Sequence, residues 1–276
     1  MVLYATENLL AGDNVDFYSS SEDALYSLEN LYCGRPSKPF RFTGVGAVGT
    51  PEWVCAEFST PQAVTLVGVF NHNLVQTASG DYITLLGCDT GCESGGCNWA
   101  APDYTLDLSG RIVANWNDLY SVLNQTRLAW RLEVVDADNP DGYVEIGEWL
   151  LGRYTALSSA RLAPGRVESP TLFRVDNRTP YGQHWTEQLS RTVDLSMTVT
   201  GLGDPDTVNS VRVMLEAIHD AGSKVFLVPD HASPFIYYAH LENDSGFMSQ
   251  LLRGNGCEAS EWTFEFRALT KGIRLL

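Results

Sequence analysis

Cys88, Cys92 and Cys97 stand in a C-x3-C-x4-C pattern inside the glycine-rich stretch GCDTGCESGGC. Thiolates this close could hold zinc or an iron-sulfur cluster, but a closed site needs a fourth ligand and the usual C-x2-C knuckle is absent. Cys33, Cys55, Cys257 or a histidine would have to be recruited. The three residues also read as free or weakly buried thiols, or as a disulfide formed outside a reducing cytoplasm. Free thiols, with no cofactor, are the reading adopted.

Glu145 and Glu148, close to Asp136 and Asp138, have the residue types of a glycosidase carboxylate pair. The solvated edge of a hairpin explains them better. His72, in the segment FNHN at a strand end, could orient a ligand; a turn or core histidine satisfied by backbone is the simpler reading. His184, His219 and His231 are scattered. There is no glycine-rich phosphate loop before a helix, no Gly-x-Ser-x-Gly elbow and no His-Glu-x-x-His. The chain is therefore read as a non-enzyme.

The elements that must position such residues are mostly strands. Ala63 to Phe70 is rich in β-branched residues, and Arg127 to Asp136 alternates, with Leu128, Trp130, Leu132 and Val134 on one face and Arg127, Arg131 and Glu133 on the other. Asn115 to Asn124 is expected to contain a helical turn. Asn139-Pro140-Asp141-Gly142 is a turn, and Tyr143 to Gly152 is expected to return as the hairpin partner of Arg127 to Asp136. Eight or so short strands with regularly spaced turns predict a jelly roll over residues 1–154. Arg153 to Arg166 has linker composition. Thr192 to Thr200 then alternates strictly, and the one convincing helix covers about 205–221, with Asp204 as N-cap, Pro205 at its first position and Gly222 ending it. Strands at Lys224 to Val228, Phe235 to Leu241 and around Trp262 to Phe266 complete a second domain, 155–276, read as a β-sandwich or barrel with one flanking helix.

The segments Asn30-Leu31, Gly34-Arg35-Pro36-Ser37, Phe40-Arg41-Phe42, Trp53-Val54, Val64-Thr65 and His72-Asn73-Leu74 resemble the discoidin (coagulation factor 5/8 type C) jelly roll. The version it is similar to occurs in structural proteins of tailed-phage virions. Ala129 to Val134 and Ile146 to Gly152 look like its closing strands. The resemblance implies a galactose-binding-like β-sandwich, with Tyr32, Phe40, His72 and Trp99 as candidate ligand-binding residues. Exposure of aromatics such as these, or of Tyr26, would make a sugar platform. Cys33 stands where that family's loop commonly has an acidic residue before its glycine, so no calcium site is carried over; it reads as a small residue buried under the corner. The second domain resembles the tail-tube fold of long-tailed phages, on its element order and on Thr179 to Trp185 and Phe226 to Asp230.

Asp and Glu outnumber Lys and Arg by 34 to 18, and a formal charge of −16 disfavours nucleic-acid binding. The resemblance then implies a distal-tail-like or minor tail protein of a phage tail tip. It would form a ring around the tail axis, a hexamer or alternatively a trimer, with tube, hub and fibre proteins as neighbours. The wet face carrying Thr192, Asp194, Ser196 and Thr198 would line a lumen through which DNA only passes. The alternative is a carbohydrate-binding module that recognises a host-surface glycan. The start MVLYATENLLAGD has no basic n-region, and no segment reaches the ~20 apolar residues of a membrane span. The expected location is the virion tail, assembled in the host cytoplasm, so the Asn-x-Ser/Thr triplets at Asn124, Asn177 and Asn243 carry no glycosylation message.

Overall fold

The strict alternations in the sequence become strands, because a pleated chain sends successive side chains to opposite faces. The computed structural model describes residues 2–75, 79–92, 97–113, 116–157, 167–178, 184–200, 205–230, 232, 234–242 and 261–269, with backbone alone at 167–178, 184–193, 199–200 and 261–262. In chain order the strands are β1 (Val2–Ala5), β2 (Val15–Ser19), β3 (Phe40–Arg41), β4 (Glu52–Phe70), β5 (Tyr82–Cys88), β6 (Tyr104–Asp107), β7 (Leu119–Val135), β8 (Glu145–Ile146), β9 (Glu148–Gly152), β10 (Thr155–Leu157), β11 (Val167–Arg178) and β12 (His184–Thr200). Helix α1 (Pro205–Asp220), β13 (Lys224–Val228), β14 (Tyr237–Leu241) and β15 (Glu261–Ala268) follow. No helix among the described residues is long and apolar enough to cross a membrane.

Residues Glu7–Thr155, with Pro234–Ile236, make one unit; β1, α1 and β10 to β15 belong to the other. In the first, an antiparallel sheet runs β2-β4-β7-β5-β6, β9 pairs with β4, and β3 pairs with β8. A straight strand the length of β4, 19 residues, would span about 60 Å. Two register shifts against β7, at Glu57/Gln62 and Val64/Leu66, break it instead. Pro61 falls in the first, where its missing N–H costs no ladder bond. The first half of β4 pairs with β2 and the second half with β9. Phe40, Phe42, Val54, Ile83, Trp130, Leu132, Ile146, Trp149 and Leu151, all fully buried, pack into one core.

Two expectations are corrected here. Residues 119–124 are strand, not helical turn, because Leu119, Tyr120, Ser121 and Val122 pair with the second half of β4; tertiary pairing decides a short apolar run that periodicity leaves open. Tyr143 to Gly152 does not return along β7. It breaks at Gly147 into β8 and β9, which pair with β3 and β4.

The second unit is one sheet of order β10-β1-β13-β14-β15-β12-β11. Leu195 and Met197 of β12, and Phe264, Phe266 and Ala268 of β15, are buried, while Thr263, Glu265 and Arg267 are exposed. Helix α1 buries Thr207, Val211, Met214, Leu215 and Ile218. It ends as expected at Gly222, whose φ of +69° is left-handed; Asp204 lies outside the described residues. The first strand, expected in the N-terminal domain, pairs with β13: Leu3 opposes Val228 and Ala5 opposes Phe226. Of the expected linker, residues 155–157 are strand β10, and 158–166 lie outside the described residues.

Candidate ligand-binding site

Strand pair β3–β8 sets Arg41 directly opposite Glu145, so both side chains leave the same face. Arg41 Nη2 lies 2.8 Å and Nε 3.3 Å from Glu145 Oε2. The guanidinium carbon sits 3.7 Å from the Tyr26 ring centroid and 3.9 Å from that of Tyr143. Burial opposes the charge of Arg41. The hydrogen bond and charge of Glu145, with smaller help from the two tyrosines, outweigh it and hold the arginine above its usual pKa.

Each wall is fixed by its loop. Asp23 N–H donates to Arg41 O (3.0 Å), Arg41 N–H to Tyr26 O (3.2 Å) and Leu25 N–H to Asp23 Oδ1 (2.9 Å), tying residues 20–27 to β3. On the other side, Asn73 Nδ2 donates to Tyr143 O and to Asp141 Oδ2, both at 3.0 Å, and its Oδ1 accepts from Glu145 N–H at 2.8 Å. Buried Asn139 donates to buried Asp136 at 2.7 Å and to Asn73 O at 3.1 Å. The result is two half-buried aromatic rings around a locked cation and carboxylate, on loops carried by a rigid sheet. Such a site offers flat apolar faces, guanidinium N–H donors and carboxylate acceptors to a ligand with both C–H and hydroxyl surfaces.

A second cluster lies on the six-stranded sheet, on the face away from the core. Arg131 pairs with Glu133 at 2.8 Å, and its guanidinium lies 4.3 Å from the Trp53 ring and 5.4 Å from that of Trp99. Burial, the larger influence, pushes the Glu133 carboxyl above the usual carboxylate range and holds Arg131 below its usual value. Beside them, Cys55 is disulfide-bonded to Cys92 and Cys88 to Cys97, with Cα separations of 6.2 and 5.9 Å. Glu57 Oε2 accepts the Cys92 N–H at 2.6 Å.

These bonds overturn both the free-thiol and the metal readings of Cys88, Cys92 and Cys97, since a sulfur shared with another sulfur is no thiolate ligand. The described residues contain no group of three His, Cys, Asp or Glu that could hold a metal. Cys33 is free and exposed rather than buried under a corner.

Of the expected ligand residues, Phe40 is fully buried against Phe42, at 4.7 Å between centroids, and cannot be a platform. His72 is also buried, with Nδ1 accepting the Leu74 N–H at 3.2 Å, as a turn histidine does. Tyr32 stacks on Phe17 at 4.6 Å, and Trp99 leans over Arg131. None of the four joins the Arg41 site. In the second unit, Asp194, Ser196 and Thr198 share a half-exposed face of β12, while the side chain of Thr192 lies outside the described residues. That face is not uniformly acidic: Arg267 Nε lies 3.4 Å from Asp194, and its Nη1 3.5 Å from Glu242.

No family model and no curated protein matches the chain. Solved structures do resemble it. CpGH89CBM32-6 produced by Clostridium perfringens is 12% identical, covering 53% of this chain and 99% of that one, with a TM-score of 0.37. The lectin domain of Lectinolysin complexed with Lewis B antigen is 10% identical, covering 55% and 99%, with a TM-score of 0.39. A Streptococcus pneumoniae fucose binding module is 11% identical, covering 53% and 96%, with a TM-score of 0.37. Each of these is a likeness of fold over about half of this chain.

Proposed function

We propose that the Glu7–Thr155 unit is a carbohydrate-binding module whose ligand seats against Tyr26, Tyr143 and the Arg41–Glu145 pair. One observation carries this reading: a guanidinium held between two half-buried tyrosines and locked by a carboxylate. A pyranose presents an apolar C–H face and a rim of hydroxyls, and this site matches both. Because Asn73, Asn139 and the Asp23 turn already hold the loops, little ordering is left for binding to oppose. A small ring of about a dozen heavy atoms, at ~0.3–0.5 kcal/mol each, gives a Kd of roughly 0.04–2 mM. The module binds and does not turn over its ligand. Two disulfides suit work in oxidising surroundings. A tail-tip ring, its hexameric or trimeric order, its tail-protein neighbours and passage of DNA have no supporting observation among the described residues.

The test is a glycan array and calorimetry with the full chain. Retention of at least one glycan class is expected, with Arg41→Ala and Tyr143→Ala each weakening it about tenfold or more. Equal binding by these variants, or none by the parent at millimolar glycan, would remove the assignment.

A further inference from the structure

We infer that the six-stranded sheet carries a second ligand site on its face away from the core, where Trp53 and Trp99 meet the Arg131–Glu133 pair, and that it takes neutral, hydroxyl-bearing rings of the sugar class. Only the class of ligand is shared with the reading above, since the Arg41 site stands on the separate β3–β8 pair. Pairing puts Trp53 of β4, Glu133 of β7 and Thr84 of β5 directly opposite one another, so their side chains leave one face. That row crosses two strand spacings, about 10 Å, which is wider than a single pyranose. Tyr82 lies two residues from Thr84 on the same face, and burial first, then the Glu133 charge, hold its hydroxyl above the usual pKa.

The guanidinium of Arg131 points to a ligand. Its side chain is 12% exposed, its Nε is buried and donates to nothing among the described residues, and Glu133 at 2.8 Å is its one ion-pair partner there. Arginine carries five N–H donors. Arg131 has therefore given up most of its water without receiving acceptors in exchange, and a ligand oxygen arriving here meets a donor that is already desolvated. The two indoles, with ring centroids 4.3 and 5.4 Å from the guanidinium, are half-buried and offer apolar faces.

The ion pair also fixes the class of ligand. A sugar hydroxyl can accept from Arg131 and donate to Glu133 at once, whereas a carboxylate would face Glu133 and an ammonium would face Arg131. Trp99 is placed before any ligand arrives. Cys97, two residues earlier, is bonded to Cys88 and donates its N–H to Gly91 O at 2.9 Å, and Ala101 N–H closes the next turn on Asn98 O at 2.8 Å. A wall set beforehand leaves little ordering for binding to oppose.

The experiment takes the full chain carrying Tyr143→Ala, which on the reading above disables the Arg41 site. It is titrated with N-acetylchito-, cello- and galacto-oligosaccharides by calorimetry and by tryptophan emission, which reports Trp53 and Trp99 rather than the tyrosines of the Arg41 site. Expected is saturable binding of at least one oligosaccharide with a change in emission. Adding Trp99→Ala, or Arg131→Gln together with Glu133→Gln, should weaken it about tenfold or more while circular dichroism stays unchanged. Loss of all binding in Tyr143→Ala while the parent binds would overturn the second site and leave the Arg41 assignment intact. Residual binding that neither added change weakens would overturn it too. Binding that Tyr143→Ala leaves untouched and Trp99→Ala abolishes would support the sheet-face site and remove the Arg41 assignment instead. Silence of the parent toward every oligosaccharide would remove both.

Discussion

Glu133 shows what half-burial does to a charge on a sheet face. Its carboxyl is held above the ordinary carboxylate range mainly by desolvation, with Arg131 pulling it back in part. A folded pKa above the unfolded one means that its contribution is most favourable below the unfolded value and is lost as pH rises through the folded value. Glu133→Gln should therefore gain on the parent between about pH 4 and neutrality, on top of a pH-independent offset from the lost ion pair. Urea denaturation of both proteins across that range measures it, and parallel profiles would contradict the shift. Gly147 is a second residue-scale case. A Cβ there would press on Pro36 O and come within 2.8 Å of Asn71 Cβ, and Pro36 O already accepts the Asn71 amide at 2.8 Å. Gly147→Ala is expected to cost about 1–3 kcal/mol, because backbone cannot move aside as a flexible side chain can.

At the scale of elements, the disulfides tie the β5–β6 connection to the sheet. Cys55 and Cys92 are 37 residues apart, Cys88 and Cys97 nine; the larger closure is worth about 3–4 kcal/mol on the chain-entropy account. Reduction should release four thiols by titration, lower stability by about 2–4 kcal/mol and change tryptophan emission as Trp99 leaves Arg131. A thiol count that reduction leaves unchanged would restore the free-thiol reading. The pairing was illegible beforehand because spacing places Cys88, Cys92 and Cys97 in one loop but says nothing of Cys55 on another strand. What was legible depended on local period. The alternation around Trp130 and the helix at Pro205 declare themselves within a few turns or pleats of chain. Residues 119–124 did not, since their partner is half of a strand some fifty positions earlier. The Arg41 site escaped for the same reason. Its tyrosines come from loops over a hundred residues apart; Tyr26 stands in the sequence as a candidate sugar platform and Glu145 as one of a candidate carboxylate pair, but nothing local joins them to Arg41 and Tyr143.

On the scale of the whole molecule, the order β10-β1-β13 makes neighbours of two strands that the chain separates by the entire other unit. That unit closes on itself. Asn8 donates to Trp149 O at 2.8 Å and accepts from Leu151 N–H at 3.3 Å, pinning its first residues to its last strand. The Glu7–Thr155 stretch is thus an insertion between β1 and β10, and insertions with adjacent ends are removable. Residues 7–155 expressed alone should unfold cooperatively. A chain in which a short Gly/Ser turn replaces 7–154, leaving β1 next to β10, should also stay soluble and β-rich by circular dichroism. A fragment starting at residue 155 lacks β1 and leaves an edge of β13 open, so it should aggregate through that edge. If instead the fragment from 155 is monomeric and as stable as the turn-bridged chain, β1 contributes nothing to the sheet and the insertion account fails.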